Sequence, residues 1–307
     1  MKTLVVYHAN CPDGRAAAWV MQRHYPDATL LARHYDASFD ETIRSAAVDA
    51  DVFYVDFSTS RDSLIKLCAV AKSVTVLDHH KTAREELTAF VDPPKNLRIA
   101  FDMSRCGAML AWDYLCNPRY MPLSEIRVGS WDSYGNTVGS RVTSRFIEYV
   151  QDRDLWTWAL PNSREVSAWM SSFPDDLLSC DVMSQAIDND LKSVVHMGAA
   201  ILQFQKRRIE AVLRNAMQIT IQGPNATFYQ VPCVNTASFI SEVGEALTAA
   251  YPAAPFSATF FIRSDGKRVW SLRVSQDKNF DASAIAKHHG GGGHAKACGW
   301  TEGASNA

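Results

Sequence analysis

Residues 73–80 read SVTVLDHH, a run of apolar and β-branched residues that leads directly into one aspartate and two histidines. Two earlier stretches have the same design, TLVVYH at 3–8 and DVFYVDF at 51–57. Helical patterns separate the three, in GRAAAWVMQRHY at 14–25 and SRDSLIKLCAVA at 60–71. Short apolar strands alternating with helices at this spacing predict βαβ units and a parallel sheet that is covered on both faces.

The rest of the chain predicts a second, smaller domain. A long helical pattern with a basic cluster near its end occupies the region around 191–215, and we interpret it as a connector helix. It follows a domain at 1–190 and precedes an α+β domain at 216–307. In the second domain the stretch IRSDGKRVW predicts a hairpin that turns at Asp265-Gly266. The expected fold class is therefore α/β, with an N-terminal parallel-sheet domain joined by a helical connector to a smaller α+β domain.

Composition limits the partners of the chain. The formal net charge is -2, with 31 basic and 33 acidic side chains, so no overall positive field exists to hold long duplex nucleic acid. Seven scattered cysteines without a CxxC pattern predict reduced thiols rather than disulfides or a structural zinc site. The N-terminal apolar run is too short for a signal peptide, and no apolar run is long enough to span a membrane. We expect a soluble, cytoplasmic protein without a membrane partner.

Candidate metal ligands follow each of the three predicted strands. They are His8 with Asp13, then Asp56, then the run 78–80. Ligands bind at the carboxyl ends of the strands in an open parallel sheet. Mixed carboxylate and imidazole ligands suit manganese, and Asp56 is placed to bridge two ions that act on a phosphate. A lone aspartate at a strand end is as often a helix N-cap, but three such ends favour a metal site.

A further carboxylate is expected from YVQDRDLW at 149–156, which offers Asp152 and Asp154. Two residues spaced by two do not share a helix face, so only one of them can reach the metals. The alternative is a surface ion pair with Arg153.

The glycine tract KHHGGGGHAKACG at 287–299 has three readings: a linker, a metal-binding tract or a cradle for an anion. The apolar residues that follow disfavour a linker. The tract lacks the Lys-Ser/Thr of a P-loop and the position of a dinucleotide-binding loop. Glycines allow backbone N–H groups to converge on an anion where a Cβ would block it.

Several motifs together resemble one known family. They are YHANCPDGRAAAW at 7–19, VFYVDFS at 52–58, DHH at 78–80, QDRDLW at 151–156 and GGGGHAKACG at 290–299. In the same order, over essentially the whole chain, they resemble the DHH phosphoesterase family with its DHH-associated C-terminal domain, which includes RecJ-like and nano-RNase-like members. Each motif is weak alone, whereas the ordered set is specific.

The resemblance implies a two-manganese centre in a cleft between the domains. The implied ligands are His8 and Asp56 for one ion, and Asp13, Asp56, His79 and Asp152 for the other. His80 would face the scissile phosphate, and Asp78 would orient the histidine pair from behind.

The first loop departs from the family pattern. Members commonly carry two aspartates in a D-x-D arrangement, whereas this chain has Cys11 and Asp13. A Cys11 thiolate could act as a softer ligand, or the first ion could be held by His8 and Asp56 alone. The expected cofactor is Mn²⁺, as one or two ions, with Mg²⁺ or another divalent ion as the alternative.

The resemblance also implies a substrate-binding role for the glycine tract. Gly291, Gly292 and Gly293 would contact a substrate phosphate, with His294 as a side-chain donor. Arg273, in VWSLRVS at 269–275, could hold a phosphate or carboxylate with two hydrogen bonds. Its alternative role is a surface charge on a strand.

These observations predict a manganese-dependent phosphoesterase in which a metal-activated water attacks a short nucleotide substrate. The substrate would be a nano-RNA or other short oligonucleotide, or a 3′-phosphonucleotide. Two alternatives stay open: a pyrophosphatase or polyphosphatase of the same superfamily, and a nucleotide-binding regulatory module that has lost catalysis. The oligomeric state is open, and a homodimer is compatible with the sequence.

Overall fold

The computed structural model describes residues 2–34, 39–116, 126–128 and 144–303. The chain divides into two compact units, Met1–Leu202 and Gln203–Ala307. We describe each unit by itself.

The first unit is built on a six-stranded parallel sheet. Its strands are β1 (Thr3–His8), β2 (Thr29–Arg33), β3 (Asp51–Val55), β4 (Ser73–Asp78), β5 (Leu97–Phe101) and β6 (Ile126–Val128). The spatial order is β2-β1-β3-β4-β5-β6, and every neighbouring pair is parallel. The strand order reverses direction between β1 and β3, which is the point where ligands bind in open α/β sheets.

Helices cover both faces of this sheet. They are α1 (Pro12–His24), α2 (Glu41–Ala47), α3 (Arg61–Cys68), α4 (Lys81–Thr88), α5 (Gly107–Cys116), α6 (Arg145–Asp154), α7 (Ser163–Met170) and α8 (Leu177–Asn189). Successive residues of β3 alternate between two apolar cores: Phe53 and Val55 belong to one, and Val52 and Tyr54 to the other. This alternation explains why the strands read as continuous apolar runs, since both faces are buried.

The parallel sheet confirms the predicted fold class. Strand β2 was not among the predicted strands. It lies at the sheet edge and its residues are half-buried or exposed, so it lacks the apolar run that identifies β1, β3 and β4. Strands β5 and β6 were not predicted either.

The second unit is a mixed sheet with two helices. Its strands are β7 (Met217–Gln222), β8 (Thr227–Asn235), β9 (Ser257–Ile262), β10 (Arg268–Arg273), β11 (Gly292–Gly293) and β12 (Ala297–Glu302), in the order β11-β12-β10-β9-β8-β7. The helices are α10 (Ile240–Ala250) and α11 (Ser283–His288). Strands β9 and β10 form the predicted antiparallel hairpin, and Gly266 adopts the left-handed conformation, with φ 79°, that the turn requires.

The remaining helix, α9, spans Leu191–Leu213 and contains the boundary between the two units. It occupies the segment predicted as a connector. The division of the chain falls inside this helix, at residues 202 and 203. Across the described ranges no helix combines the length and the apolar character needed to cross a membrane.

Candidate metal centre

Three adjacent strands deliver the candidate ligands to one edge of the first sheet. His8 is the last residue of β1, Asp56 directly follows β3, and Asp78 ends β4. Since β3 lies between β1 and β4, Asp56 occupies the centre of this group. The parallel arrangement therefore brings together residues that are up to 70 positions apart in the chain.

Asp56 contacts a histidine on each side. One carboxylate oxygen, Oδ1, lies 3.0 Å from His79 Nε2, and the other, Oδ2, lies 3.5 Å from His8 Nδ1. Asp56 is 1% exposed and has a positive φ of 53°. The left-handed conformation is unfavourable for most residues and tends to occur where function constrains the backbone.

A second group of ligand atoms surrounds His79. Its Nε2 atom lies 3.5 Å from Asp13 Oδ2 and 3.6 Å from Asp154 Oδ2, and one ligand atom of each residue falls within 4.8 Å of the others. The carboxylate of Asp13 accepts hydrogen bonds from the backbone N–H groups of Gly107, at 2.5 Å, and Ala108, at 2.8 Å. These two N–H groups belong to the first turn of α5, so the start of that helix orients Asp13.

The first group consists of His8, Cys11 and Asp56, whose ligand atoms also lie within 4.8 Å of one another. Cys11 directly precedes α1, and Pro12 begins that helix. The Cys11 thiol thus lies beside the His8 imidazole and the Asp56 carboxylate. It occupies the position at which the family pattern has the first of two aspartates. Burial, together with the nearby charge of Asp56, raises the pKa of the Cys11 thiol well above its usual range in the absence of a cation.

Asp154, rather than Asp152, lies in the second group. The Asp152 carboxylate accepts hydrogen bonds from Thr157 Oγ1 at 2.5 Å, from Ala159 N at 2.8 Å and from Leu160 N at 3.1 Å. Asp152 therefore holds the loop that follows α6, and its oxygens already have donors. We therefore propose Asp154, and not Asp152, as the ligand from this helix.

The charges of the cluster call for a cation. Burial, reinforced by the charges of Asp56 and Asp154, raises the pKa of Asp13 well above its usual range. Burial and repulsion from Asp56 also raise the pKa of Asp154, against the attraction of His79. Burial alone would raise the pKa of Asp56 as well, but the hydrogen bond from His79 and the nearby imidazole of His8 outweigh it and hold that pKa well below its usual range. Two buried carboxylates and a partly buried third, that of Asp154, are costly at one point unless positive charge offsets them.

Two orphaned oxygens show that the donor set suits a metal. Asp56 Oδ2 and Asp154 Oδ2 are buried and have no hydrogen-bond donor within the described part of the chain. Buried carboxylate oxygens without donors are rare in folded proteins. Together with imidazole nitrogens they are the ligands that borderline divalent ions take. The residues present therefore fit a divalent metal centre.

His80 is oriented by the aspartate that begins the DHH sequence. Asp78 Oδ1 lies 2.7 Å from His80 Nδ1, and the same oxygen accepts from the backbone N–H groups of His79, at 2.7 Å, and His80, at 3.2 Å. Asp78 is fully buried, and burial alone would lower the pKa of His80, but the charge of Asp78 raises it. This geometry agrees with the orienting role that we expected for Asp78.

Two glycines outside the predicted site residues, Gly107 and Gly14, allow these groups to approach one another. A Cβ atom at Gly107 would lie 2.2 Å from Asp56 Cβ, and one at Gly14 would lie 2.3 Å from the carbonyl oxygen of His8. Neither distance is sterically allowed. Gly107 is the first residue of α5 and Gly14 the third residue of α1. Glycine is a poor helix former, and that mismatch is the sequence signal that could have identified them.

The glycine tract of the second unit uses its backbone differently from our expectation. The N–H of Gly291 donates to Ala286 O at 2.8 Å, and that of His294 donates to Ala297 O at 2.8 Å. Gly292 and Gly293 form β11, which pairs with β12, and a Cβ at Gly291 would lie 2.0 Å from the carbonyl oxygen of Gly299. The glycines thus permit close packing against β12, and the N–H groups of Gly291 and His294 already have acceptors, so they do not contribute to an anion cradle.

Arg273 and His294 lie at the same end of the second sheet. Arg273 is the last residue of β10 and pairs with Ala297, which closes the turn that begins at His294. The guanidinium donates to Ser241 Oγ at 2.6 Å and to Leu272 O at 3.0 Å, which fixes its position. Arg273 and the turn that begins at His294 therefore belong to the same edge of this unit.

Comparison with known proteins identifies relatives of this chain. No family model matches it. It is 27% identical over 239 residues to oligoribonuclease NrnB of Bacillus subtilis (strain 168), covering 74% of this chain and 52% of the relative. It is 25% identical over 315 residues to the uncharacterized protein R106 of Acanthamoeba polyphaga mimivirus, covering 96% of this chain and 66% of the relative. The chain therefore spans about half to two thirds of the length of these relatives.

The NrnB match and the ordered motifs, four of which contribute to the cluster described above, agree on the family. The chain resembles the DHH phosphoesterase family. Among solved structures, the chain is similar to RecJ of Thermus thermophilus in complex with Mn²⁺, with a TM-score of 0.47 and 14% identity, covering 98% of this chain and 50% of RecJ.

Proposed function

We propose that this chain is a metal-dependent phosphodiesterase of the DHH family that hydrolyses short oligonucleotides. One observation carries the proposal: Asp56 lies between two groups of ligand atoms, with His8 and Cys11 on one side and the Asp13–His79–Asp154 group on the other. A shared carboxylate of this kind is typical of centres that hold two ions for displacement at phosphorus.

The residues proposed to hold the metals form two overlapping sets. They are His8, Cys11 and Asp56 for the first ion, and Asp13, Asp56, His79 and Asp154 for the second. When bound, such ions withdraw negative charge from phosphoryl oxygens and make water more acidic. Within the second set, the N–H groups of Gly107 and Ala108 keep the Asp13 carboxylate in position.

Mn²⁺ is the ion that we propose for the second set, because its ligands are oxygen and nitrogen atoms only. The first set contains the Cys11 sulfur, and a thiolate favours softer ions such as Fe²⁺, Co²⁺ or Zn²⁺ over Mg²⁺. We therefore expect the two positions to differ in metal preference.

His80 is proposed to contact the scissile phosphate. The hydrogen bond to Asp78 Oδ1 engages Nδ1 of the ring, so Nε2 is the atom assigned to the substrate. A histidine held in this way can donate to a phosphoryl oxygen as negative charge develops there.

A short nucleotide is the proposed substrate for two reasons. The net charge of -2 supplies no extended positive surface for long nucleic acid. In addition, the relative from Bacillus subtilis is named an oligoribonuclease. From the second unit, Arg273 and His294 are the side chains that we propose to bind a substrate phosphate.

The test is a substrate panel with the purified full chain. A 5′-phosphorylated diribonucleotide, adenosine 3′,5′-bisphosphate and pyrophosphate are incubated separately with Mn²⁺, and products are separated by ion-exchange chromatography. We expect cleavage of the dinucleotide to mononucleotides, abolished by a chelator and restored by Mn²⁺. Asp56→Asn and His79→Ala should remove activity while circular dichroism stays native.

Other outcomes of the panel identify the alternatives. Cleavage of pyrophosphate alone would replace the phosphodiesterase with a pyrophosphatase. Tight dinucleotide binding without turnover in Mn²⁺, Co²⁺ or Fe²⁺ would indicate a regulatory module, and recovery of turnover in Cys11→Asp would locate the cause.

A further inference from the structure

A cavity adjoins the first group of ligand atoms within the first unit. It has a volume of ≈ 210 Å³ and is lined by residues from the ends of β1 and β2, from the loop before α1, from the first turn of α1, and from the loop before α8 and its first residue. His8 and Cys11 form part of its wall, so the cavity opens directly onto the proposed metal centre. Its volume is below the range of roughly 300–1,000 Å³ that is usual for whole drug-sized ligands.

One wall of the cavity is held rigidly by Arg15. This side chain is 8% exposed, and its Nη1 atom donates to Pro174 O at 2.6 Å and lies 3.2 Å from Asp175 Oδ1. The Arg15 Nε atom is buried and has no acceptor among the residues that the structure describes. The guanidinium thus joins α1 to the loop before α8 and fixes the shape of this wall before a ligand arrives.

The polar groups of the lining suit an uncharged ligand that donates hydrogen bonds. Asp175 is 49% exposed at its side chain, so its carboxylate can accept bonds in addition to the Arg15 contact. Asp176 is occupied as the N-cap of α8, where it accepts from Ser179 N at 2.7 Å. With two carboxylates and one guanidinium, the lining disfavours a second phosphate.

Asn10 adds an amide on the side of the metal centre. It stands between His8 and Cys11 and adopts the left-handed conformation, with φ 54°. Its Nδ2 atom lies 3.4 Å from His34 Nε2, a long contact that leaves the amide able to reorient. Tyr7 and Leu177 supply apolar surface to the same cavity.

We propose that this cavity binds the nucleoside attached to the scissile phosphate, and that Asp175 accepts hydrogen bonds from it. The inference rests on the proposed function, because it assumes a nucleotide phosphate at the metal centre. Two parts of a nucleoside carry neighbouring donors of the required kind: the ribose hydroxyls, and the N1–H and N2–H groups of guanine. Asp175 is thus a specificity-determining residue that the motifs do not include.

The test compares two substrates in the full chain with Mn²⁺. The first is the 5′-phosphorylated diribonucleotide pGpG, and the second is bis(p-nitrophenyl) phosphate, a phosphodiester without a nucleoside. We expect Asp175→Asn to raise KM for pGpG by about 10- to 100-fold, the loss of a hydrogen bond to a charged group, with little change in kcat. Cleavage of bis(p-nitrophenyl) phosphate should not change.

Two further variants control for charge and for folding. Asp188→Asn removes the same charge from an exposed position on α8 that does not line the cavity, and it should behave as the wild type with both substrates. Asn10→Gly removes an amide from the lining while keeping a residue that tolerates positive φ. It should weaken the binding of pGpG and leave cleavage of bis(p-nitrophenyl) phosphate unchanged.

Modified dinucleotides identify the group that Asp175 recognises. The 2′-deoxy analogue lacks a ribose hydroxyl, and the inosine analogue lacks the N2 amino group. Removal of the group that Asp175 binds should weaken dinucleotide binding by the wild-type protein. The same removal should not weaken binding further in Asp175→Asn. If neither removal depends on Asp175, or if Asp175→Asn impairs both original substrates equally, the proposal is overturned.

Calorimetric binding of pGpG to the Ca²⁺-loaded protein separates the inference from the proposed function. Selective loss of binding in Asp175→Asn without turnover in any protein would support the cavity and refute the phosphodiesterase. Turnover of pGpG with unaltered binding in Asp175→Asn would refute the cavity alone. Absence of both binding and turnover in the wild type would refute both.

Discussion

Substitution of Gly107 by alanine should damage the metal centre although glycine carries no ligand. The added Cβ would lie 2.2 Å from Asp56 Cβ and 2.6 Å from Asp56 Cα. Carbon atoms pack at about 3.5 Å or more, so the two chain segments must separate by roughly 1.3 Å. Because Asp56 follows a central strand, the start of α5 is the part that moves, and it carries the N–H groups that orient Asp13.

The magnitude follows from these contacts. Overpacking of this kind costs about 1–3 kcal/mol of the free energy of unfolding. Displacement of the groups behind a metal ligand typically lowers metal affinity by about 10- to 100-fold. We expect both effects in Gly107→Ala, measured by urea unfolding of the metal-free protein and by calorimetric titration of Mn²⁺ into the folded protein.

Gly198→Ala is the matched control. Its Cβ would lie 2.0 Å from the carbonyl oxygen of Glu165, which is an equally severe contact between α9 and α7 that involves none of the proposed ligands. This variant should lose comparable stability and retain wild-type affinity for Mn²⁺. If Gly107→Ala also binds Mn²⁺ like the wild type, the close approach of α5 to Asp56 does not determine the geometry of the centre.

Three further predictions concern the ligands. Asp154→Asn should abolish Mn²⁺ binding in calorimetry with little loss of stability. Asp152→Ala should lower the free energy of unfolding by about 2–4 kcal/mol, because the hydrogen bonds from its loop are lost. The reverse pattern would identify Asp152 as the ligand. Co²⁺-loaded protein should show a sulfur-to-metal charge-transfer absorption that is lost in Cys11→Ser and kept in Cys106→Ser, and a spectrum unchanged by Cys11→Ser would exclude the thiolate ligand. Asp78→Asn should reduce kcat by about 10- to 100-fold with the Mn²⁺ stoichiometry unchanged, and an unaltered kcat would remove Asp78 from an orienting role.

The sequence predicts that these candidate ligands lie close together because the strands that precede them carry their own signal. An apolar run that leads into Asp or His indicates both a buried parallel strand and the position of its carboxyl end. The stretch that ends at His8 and the stretch that contains Asp56 are examples. Adjacency of those ends then follows from the topology of a parallel sheet. The edge strand β2 lacked that signal because its side chains are only partly buried.

Other features of the candidate site depend on contacts between distant segments. Asp152 and Asp154 lie in the same helical turn. The choice between them depends on the loop after α6, in which Thr157 and Ala159 donate hydrogen bonds to the Asp152 carboxylate. The Gly291 N–H donates to Ala286 O because of the way α11 leads into β11. The run of glycines in the sequence does not indicate this hydrogen bond. The role of Gly107 depends on Asp56, a residue about fifty positions earlier.

The left-handed backbone at Asp56 affects how loss of function should be engineered in this protein. Alanine in that conformation would add about 1–2 kcal/mol of backbone strain to the loss of the carboxylate. An inactive Asp56→Ala protein could therefore be inactive because it is misfolded. Asparagine tolerates positive φ and nearly preserves the shape of the side chain. Asp56→Asn is for that reason the substitution with which a metal-free but folded protein is best prepared, for substrate-bound crystallography or for capture of uncleaved ligands.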